Sequence, residues 1–151
     1  MIHELKDRTR FNNKSLAKCY PNFKSLIDEL RTRSLSDNVV SFINKQVDII
    51  NRNHDEKGLK KQVRKSQYHI IKMLEKEHKI VPKGYYRNLW LALGMSVFGL
   101  PIGVAFGAAL GNMAFMAMFM PVGMVIGMAI GSQKDTEAAK NGRQLNFNQY
   151  I

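Results

Sequence analysis

Residues 88–133 form an uninterrupted stretch without Asp, Glu, Lys or Arg, and this stretch limits what the chain can fold into. Its 46 residues exceed what the core of a small soluble domain needs, whereas a membrane-spanning helix requires about 20 apolar residues. The stretch is too long and too far from the N-terminus to be a signal peptide. We therefore predict two membrane-spanning helices.

Glycine recurs at every fourth position inside this stretch. The seven glycines that follow this spacing are Gly99, Gly103, Gly107, Gly111, Gly123, Gly127 and Gly131. In water, glycine is about 1 kcal/mol less favourable than alanine inside a helix, so a repeat at helical spacing needs a reason. Helices in a bilayer associate by close packing, and a row of glycines lets a second backbone approach. We expect all seven to be helix-packing positions of a glycine zipper.

The stretch divides into helices at about residues 89–110 and 114–131, with Gly111, Asn112 and Met113 as the turn. At about 1.5 Å per residue these helices reach roughly 33 and 27 Å, near the thickness of a bilayer's hydrocarbon core. So short a turn makes the helices antiparallel. The prediction is a transmembrane hairpin over residues 85–133. A buried hairpin inside a soluble protein is the alternative, but the remaining chain is too small and too polar to cover it.

The flanks of the hairpin carry the residues expected at a membrane–water boundary. Tyr85, Tyr86, Arg87 and Trp90 are the predicted membrane-interface residues, because aromatic and basic side chains anchor helix ends at the headgroups. Lysine and arginine lie on both outer flanks and are missing from the turn. This distribution predicts that both termini lie in the cytoplasm.

The region before the hairpin is basic and helical in pattern. Residues 1–87 contain 20 Lys and Arg against 10 Asp and Glu. Apolar residues recur at helical spacing over residues 22–33, 36–51 and 59–79, with Ser36 or Asp37 as a cap. The predicted core consists of Phe23, Leu26, Ile27, Leu30, Val39, Val40, Phe42, Ile43, Val47, Ile50, Leu59, Val63, Ile70, Ile71 and Leu74.

These patterns predict an all-α membrane protein. It has a soluble N-terminal helical domain over residues 1–84, a C-terminal antiparallel transmembrane helical hairpin and a short tail over residues 134–151. The last two helices of the soluble domain are predicted to form an antiparallel pair.

The third predicted helix carries a dense positive charge, which we call the basic surface. It consists of Lys57, Lys60, Lys61, Arg64 and Lys65. Anionic lipid headgroups attract such a surface at about 1 kcal/mol per charge, and nucleic acid is attracted by the same physics. We favour lipid, because the predicted membrane is already a partner. A solvated basic helix without a specific ligand is an equal alternative.

No pattern for catalysis or metal binding emerges. His3, His54, His69 and His78 lack the spacing of a helical metal site, and a single Glu75-x-x-His78 pair is common. Cys19, beside Tyr20 and Pro21, has the character of a packed thiol or a loop residue rather than a nucleophile. Phosphate-binding loops and nucleophile elbows are missing from the sequence. We expect neither an enzyme nor a cofactor.

The hairpin resembles the glycine-zipper hairpins of small bacterial membrane proteins. The resemblance lies in YYRNLWLALG at residues 85–94, GLPIGVAFGAALGN at 99–112, PVGMVIGMAIGS at 121–132 and NGRQLN at 141–146. It implies a multi-pass protein of the bacterial cytoplasmic membrane and helix packing through glycine, and it brings no activity with it.

Two functions fit these expectations. The first is an integral membrane protein that forms homo-oligomers through its glycine zipper and presents its basic cytoplasmic domain to a protein partner. The alternative is a triggered membrane-permeabilising effector or channel subunit. A channel needs a wettable path, and inside the predicted spans the sequence offers little beyond Ser96, glycine backbone and Asn112 at the turn. A nucleic-acid tether is a third and more distant possibility.

Overall fold

The computed structural model describes residues 1–8, 11, 13–53 and 55–146. In this part of the chain the protein is mostly helical, as the sequence predicts. Contacts divide it into two compact units. The first unit is Met1–Pro82 together with Leu145 and Asn146, and the second is Lys83–Gln144.

Three helices build the first unit: α1 (Lys14–Arg31), α2 (Asp37–Arg52) and α3 (Glu56–His78). Helix α3 packs against both α1 and α2. Hydrogen bonds join Ser36 at the start of α2 to His78 at the end of α3, and Gln46 to Ser66 in their middles. Helices α2 and α3 are therefore antiparallel, as predicted.

The core of the first unit lies along the predicted apolar faces. Of the fifteen predicted core residues, thirteen are buried, and Val40 and Phe42 are half-buried. Ser36 is the N-cap of α2 in backbone conformation, but its side chain makes no capping hydrogen bond. Its hydroxyl and its N–H instead lie 3.2 Å from Nε2 of His78.

Helix α1 begins earlier than the sequence predicts. It starts at Lys14, where the Asn13 side chain accepts the N–H groups of Ser15 and Leu16, rather than near residue 22. Pro21 lies inside the helix without ending it. A proline removes one backbone hydrogen bond, but the buried Leu16 on its N-terminal side holds the first turns against the core.

The described chain returns to the first unit near residue 145. Strand β1 (Val81–Pro82) pairs with strand β2 (Gln144–Leu145), and Leu145 is buried within the first unit. The backbone N–H of Asn146 donates to the Glu29 carboxylate at 3.0 Å. Part of the predicted tail is thus built into the folded first unit.

Two long helices form the second unit: α4 (Tyr85–Ala109) and α5 (Ala114–Lys140). Both are long and apolar enough to cross a membrane. Helix α4 begins at Tyr85 rather than near residue 89, and α5 continues to Lys140 rather than ending near residue 131. Inside α4, residues Met95–Gly99 form a π-helical turn. It lies immediately before Pro101, which cannot donate a backbone hydrogen bond to the preceding turn.

The two helices pack along their length in opposite sequence order. Gly131 near the end of α5 lies against Arg87 at the start of α4, and Gly103 of α4 lies against Met116 at the start of α5. The connection passes through Gly111, which takes a φ of +64°. The predicted turn therefore contains the left-handed residue that it needs.

We expect Lys79→Gly to stabilise the first unit by about 0.5–1 kcal/mol. Lys79 follows α3 with a φ of +55°, a conformation that glycine adopts at lower cost than lysine. The exposed Lys79–Glu75 ion pair offsets little of this gain. Urea unfolding followed by circular dichroism measures the change. The control Lys76→Gly, at an exposed position inside α3, should cost about 1 kcal/mol. A destabilised Lys79→Gly variant would contradict the prediction.

Candidate functional site: the glycine interface of the apolar helices

The second unit buries small residues and exposes large ones. The residues buried along α4 and α5 are Gly94, Gly99, Gly103, Gly107, Gly123, Gly127, Gly131 and Ala138. Large apolar side chains such as Val97, Phe106, Met118 and Val125 are exposed on the outer faces. A water-soluble helix pair buries its large apolar residues instead. The distribution is typical of helices that pack inside a bilayer.

At the centre of this pair, backbone lies against backbone. A Cβ atom placed on Gly123 would lie 2.8 Å from Cα of Gly99, and one placed on Gly127 would lie 3.0 Å from Cα of Gly94. A Cβ on Gly127 would also collide with the backbone carbonyl of Trp90. The neighbours are backbone atoms, which cannot rotate away as a side chain does.

The close approach continues toward both ends of the helices. A Cβ on Gly103 would lie 2.7 Å from Cα of Met116, and one on Gly131 would lie 2.6 Å from Cα of Arg87. We call the contacts of Gly94, Gly99, Gly103, Gly123, Gly127 and Gly131 the glycine interface. Within the described chain, these six glycines meet glycine or other backbone of the opposing helix.

Two of the predicted packing glycines differ from the others. Near Gly107 the closest atom to an added Cβ is Sδ of Met113, at 3.2 Å, and a flexible side chain can move. Gly111 has nothing within 4 Å of that position. Gly111 therefore meets no opposing helix within the described chain, and its packing role stays a prediction. Its positive φ makes it a turn residue, the other role that the sequence suggested.

Gly94 belongs to the interface although it breaks the four-residue rhythm. It precedes Gly99 by five residues, and in a regular α-helix that spacing places the two on different faces. The π-helical turn Met95–Gly99 inserts one extra residue into this part of α4. Gly94 and Gly99 consequently both contact Gly123. Neither the α-helical period nor composition could reveal this contact.

The glycine row of α5 ends in a carboxylate that caps α4. Asp135 follows Gly131 by four residues, so it occupies the next position of the same row. Its Oδ1 accepts the Tyr86 N–H and its Oδ2 accepts the Arg87 N–H, both at 3.0 Å. These N–H groups belong to the first turn of α4, where no intrahelical acceptor exists.

A capping role for Asp135 follows from this geometry. Gly84, the N-cap residue of α4, has no side chain to offer, and a negative charge is favourable at a helix N-terminus. Sequence analysis missed Asp135 because its partners lie on the other helix. The extension of the four-residue row from Gly131 was the available signal.

The predicted membrane-interface residues lie on the first turns of α4. The rings of Tyr85 and Tyr86 meet edge to face, with centroids 5.4 Å apart. Nζ of Lys134 lies 5.9 Å from the ring centre of Trp90, within the range of a cation–π interaction. Arg87 is exposed. Aromatic and charged side chains thus surround the same end of the helix pair that Asp135 caps.

The basic surface lies on the N-terminal half of α3. Lys61, Arg64 and Lys65 are exposed and Lys60 is half-buried, while the side chain of Lys57 lies outside the described structure. A groove of about 530 Å³ lies between α1 and the part of α3 that carries Arg64 and Gln67. Among the residues lining the groove are Ser15, Lys18, Cys19, Asn22, Arg64 and Gln67.

Cys19 lies in this groove, inside α1 rather than in a loop. Partial burial raises the pKa of its thiol, because a thiolate loses hydration there. The Arg64 guanidinium and the Lys60 ammonium oppose the shift but do not cancel it. A thiol with a raised pKa is a poor nucleophile at neutral pH.

The described histidines make separate contacts. Nδ1 of His3 lies 3.0 Å from the Asp48 carboxylate, and His78 bonds with Ser36. Over the described residues, no three His, Cys, Asp or Glu side chains are grouped as a metal site requires. His54 lies outside the described residues.

Comparisons with protein-family models, with curated proteins and with solved structures give no match for this chain. The resemblance to glycine-zipper hairpins therefore stays a prediction.

We expect Gly103→Leu and Gly127→Leu to separate α4 from α5. A leucine side chain cannot occupy the space of the opposing backbone, so the helix axes move toward the usual spacing of about 8–10 Å. Leucine is at least as favourable as glycine in a bilayer, so membrane insertion should persist. Spin labels at the exposed positions Val97 and Val125, in a Cys19→Ser background, report the separation.

Ala105→Leu and Ala129→Leu are the matched controls, because both alanines face outward on the same helices. They should leave the label distance unchanged. Equal distances in the glycine and alanine variants would contradict a packing role for the glycines.

Asp135→Asn should weaken the second unit by about 1–2 kcal/mol. An amide has one acceptor oxygen and no charge, so it cannot serve both N–H groups as the carboxylate does. Amide exchange at Tyr86 and Arg87 should quicken. Glu137→Gln is the control, since Glu137 is exposed on the same helix and bonds with Arg143 instead. Unchanged exchange at both amides would overturn the capping role of Asp135.

The Cys19 thiol should react slowly with iodoacetamide at pH 8. Its reaction rate should rise only when the pH exceeds the pKa of an ordinary thiol, because the pKa of Cys19 is raised. Arg64→Met removes a cation that lowers the pKa, so the midpoint of the pH–rate profile should move higher, whereas Lys65→Met should leave it in place. Burial of the neutral thiol also stabilises the fold. This contribution is fully present below the pKa of the thiol in the unfolded state, and it is lost as the pH rises through the higher pKa of the folded state. A midpoint below that of an ordinary thiol would contradict the burial argument.

Proposed function

We propose that the protein is a membrane-anchored module in which α4 and α5 form a transmembrane hairpin and the first unit is presented in the cytoplasm. The observation that carries this proposal is the glycine interface, with its glycines inside and its large apolar side chains outside. Lipid solvates the outer faces at no cost, whereas water would not. Close backbone contact then supplies the attraction that hydrophobic burial cannot supply inside a bilayer.

The ends of the helices support the same orientation in the membrane. Tyr85, Tyr86 and Trp90 lie at one end of the pair with Lys134 and Arg87, as side chains at a headgroup boundary do. The opposite end contains the uncharged turn at Gly111. We infer an N-in and C-in topology in a bacterial cytoplasmic membrane, where basic flanks stay on the cytoplasmic side.

We further propose that the basic surface contacts anionic lipid or an acidic partner protein. Lys61, Arg64 and Lys65 are exposed and adjacent on one helix, so their charges add. Such an attraction is electrostatic and weakens with salt. It requires no defined pocket, which suits a recruitment or assembly role. We place nucleic acid behind these two partners, because the proposed bilayer already presents anionic groups beside the domain.

Self-association of copies is part of this proposal, but the glycine interface gives it a specific form. The glycines of α4 and α5 contact each other within one chain, so their close-packing surfaces are already occupied. Copies in a membrane then meet through the outer faces, which carry large apolar side chains such as Phe106 and Val125. Self-association is therefore expected to be weaker than the contact within the hairpin.

The channel alternative is tested together with the anchor. The Ser96 hydroxyl donates to the carbonyls of Ala92 and Leu93 in its own helix, so it is satisfied without a pore water. Ion flux into liposomes containing the purified protein, with and without acidic lipid, measures this function, and sustained flux would favour the channel.

Labelling with a membrane-impermeant maleimide tests the topology. In a Cys19→Ser background, Asn112→Cys places a thiol in the turn, and Lys65→Cys and Asn141→Cys place thiols on the two flanks. All three positions are exposed. In intact cells only the turn variant should react, while all three should react after lysis. Recovery of the chain in the soluble fraction would overturn the membrane anchor, and labelling of the flank variants in intact cells would overturn the orientation.

A further inference from the structure

The N-terminal segment, residues 1–8, lies along the first unit without forming a helix or a strand. Its burial repeats every three residues: Ile2 and Leu5 are 5% and 3% exposed, Arg8 is half-buried, and the residues between them are exposed. A period of three is typical of a polyproline II conformation, which makes no hydrogen bonds of its own. Its backbone groups are therefore available to another element.

Helix α2 uses two asparagine side chains to bind this backbone. Nδ2 of Asn44 donates to the Met1 carbonyl at 3.1 Å, and its Oδ1 accepts the His3 N–H at 2.7 Å. One amide thus bonds with two backbone groups that flank a buried side chain. Both asparagine functions, donor and acceptor, are used.

Asn51 repeats the arrangement three residues further along the segment. Its Nδ2 donates to the Glu4 carbonyl at 3.0 Å, and its Oδ1 accepts the Lys6 N–H at 2.9 Å. Leu5 is the buried side chain between these two groups, as Ile2 is for Asn44. Each asparagine therefore bonds with a carbonyl and an N–H two residues apart, on either side of a buried apolar residue.

The rise per residue of α2 and that of the N-terminal segment explain why this bonding pattern repeats. Seven residues of α-helix separate Asn44 from Asn51, a rise of about 10.5 Å. Three residues of polyproline II advance about 9.3 Å. Because these lengths differ by only about 1.2 Å, an asparagine every two turns meets an extended chain every three residues. The site therefore binds the backbone of the segment through hydrogen bonds, and it buries an apolar side chain at every third position.

Side-chain contacts fix the register of the segment. Nδ1 of His3 lies 3.0 Å from the Asp48 carboxylate, between the two asparagines on α2. Nη2 of Arg8 donates to the Asn53 carbonyl at 2.6 Å, just beyond the C-terminus of α2, where a cation is favourable. The Tyr20 hydroxyl of α1 donates to the Lys6 carbonyl at 2.6 Å. The sequence that fits has the form apolar-x-x-apolar-x-x-Arg.

We propose that this face of α2 is a peptide-binding site, which the N-terminal segment fills within its own chain and which also binds the N-terminal segment of a second copy. A second copy is the occupant because its segment carries Ile2, Leu5 and Arg8 at the positions that the site accepts. Every contact described above forms equally within or between chains. The balance then depends on the connection to α1 and on the local concentration of copies.

The proposal rests on the proposed function in one respect, since confinement to a membrane keeps copies close enough to exchange segments. The exchange links first units directly and needs no glycine contact between copies. It gives self-association a defined partner surface that the apolar helices do not supply.

Mixed-chain crosslinking tests the exchange in the full-length protein. One chain carries His3→Cys, a differently tagged chain carries Asp48→Cys, and both carry Cys19→Ser. A short bis-maleimide joins the two tags only when the segment of one chain occupies the site of the other. The same two cysteines placed in one chain test occupancy within the chain. The pair His3→Cys and Asn38→Cys is the spatial control, because Asn38 is an exposed residue of α2 away from the bound segment.

We expect the two tags to be joined in membranes, and the yield to fall about tenfold or more when the Asp48→Cys chain also carries Asn44→Ala and Asn51→Ala. Those substitutions remove the four hydrogen bonds by which α2 binds the backbone of the segment, so its occupancy of the site falls. Asn38→Ala in the same chain should leave the yield unchanged. Circular dichroism of each variant verifies that its helices are retained.

Three results would overturn the proposal, each in a distinguishable way. Crosslinking within single chains but not between tags would exclude exchange. Crosslinking that survives loss of both asparagines, or that is equal at Asn38→Cys, would exclude the site. Measuring crosslinking separately in the membrane and soluble fractions distinguishes failure of the peptide site from failure of the membrane anchor. Crosslinking between tags in the soluble fraction alone would support the peptide site and contradict the membrane-anchored function.

Discussion

Direct contact between two glycine-lined backbones is the interaction on which the second unit depends. At Gly123 and Gly127 a single added carbon atom would meet backbone of the opposing helix. No rotamer change relieves such a clash, so glycine is required there by geometry rather than by flexibility. The large side chains are displaced to the outside as a consequence. A surface suited to lipid and an interior made of backbone are two results of the same constraint.

Two features extend this contact beyond a regular glycine repeat. The π-helical turn Met95–Gly99 brings Gly94 into line with Gly99, so the interface continues past Pro101 toward the start of α4. At that end Asp135 replaces glycine as the next member of the row and bonds with the N–H groups of Tyr86 and Arg87. Close approach at Gly131 is what lets so short a side chain reach them. Packing and capping are therefore coupled, because a wider interface would leave the first turn of α4 without its acceptor.

The first unit is held by a different kind of interaction. Its helices bury apolar faces in the manner of a soluble domain, with α3 in contact with both α1 and α2. Around this core, side-chain amides of α2 bind one segment that forms neither a helix nor a strand. Asn44 and Asn51 bind the N-terminal segment in this way. A helix surface that bonds to backbone recognises chain conformation first and sequence second, which is the basis of a peptide site.

Sequence by itself determined the division between an uncharged apolar stretch and a basic helical region, because charge and hydropathy are local properties. It also determined the buried faces of α1, α2 and α3, since a period of 3.6 residues expresses which side of a helix meets the core. Tertiary structure alone decided the roles of Gly94, Gly111 and Asp135. Gly94 depends on a change of helical register, Gly111 on open space around a left-handed turn, and Asp135 on N–H groups 48 and 49 residues away. The match between Asn44, Asn51 and the N-terminal segment was equally hidden. It depends on nearly equal rises along a helix and along an extended segment, and these become comparable only when the two lie side by side.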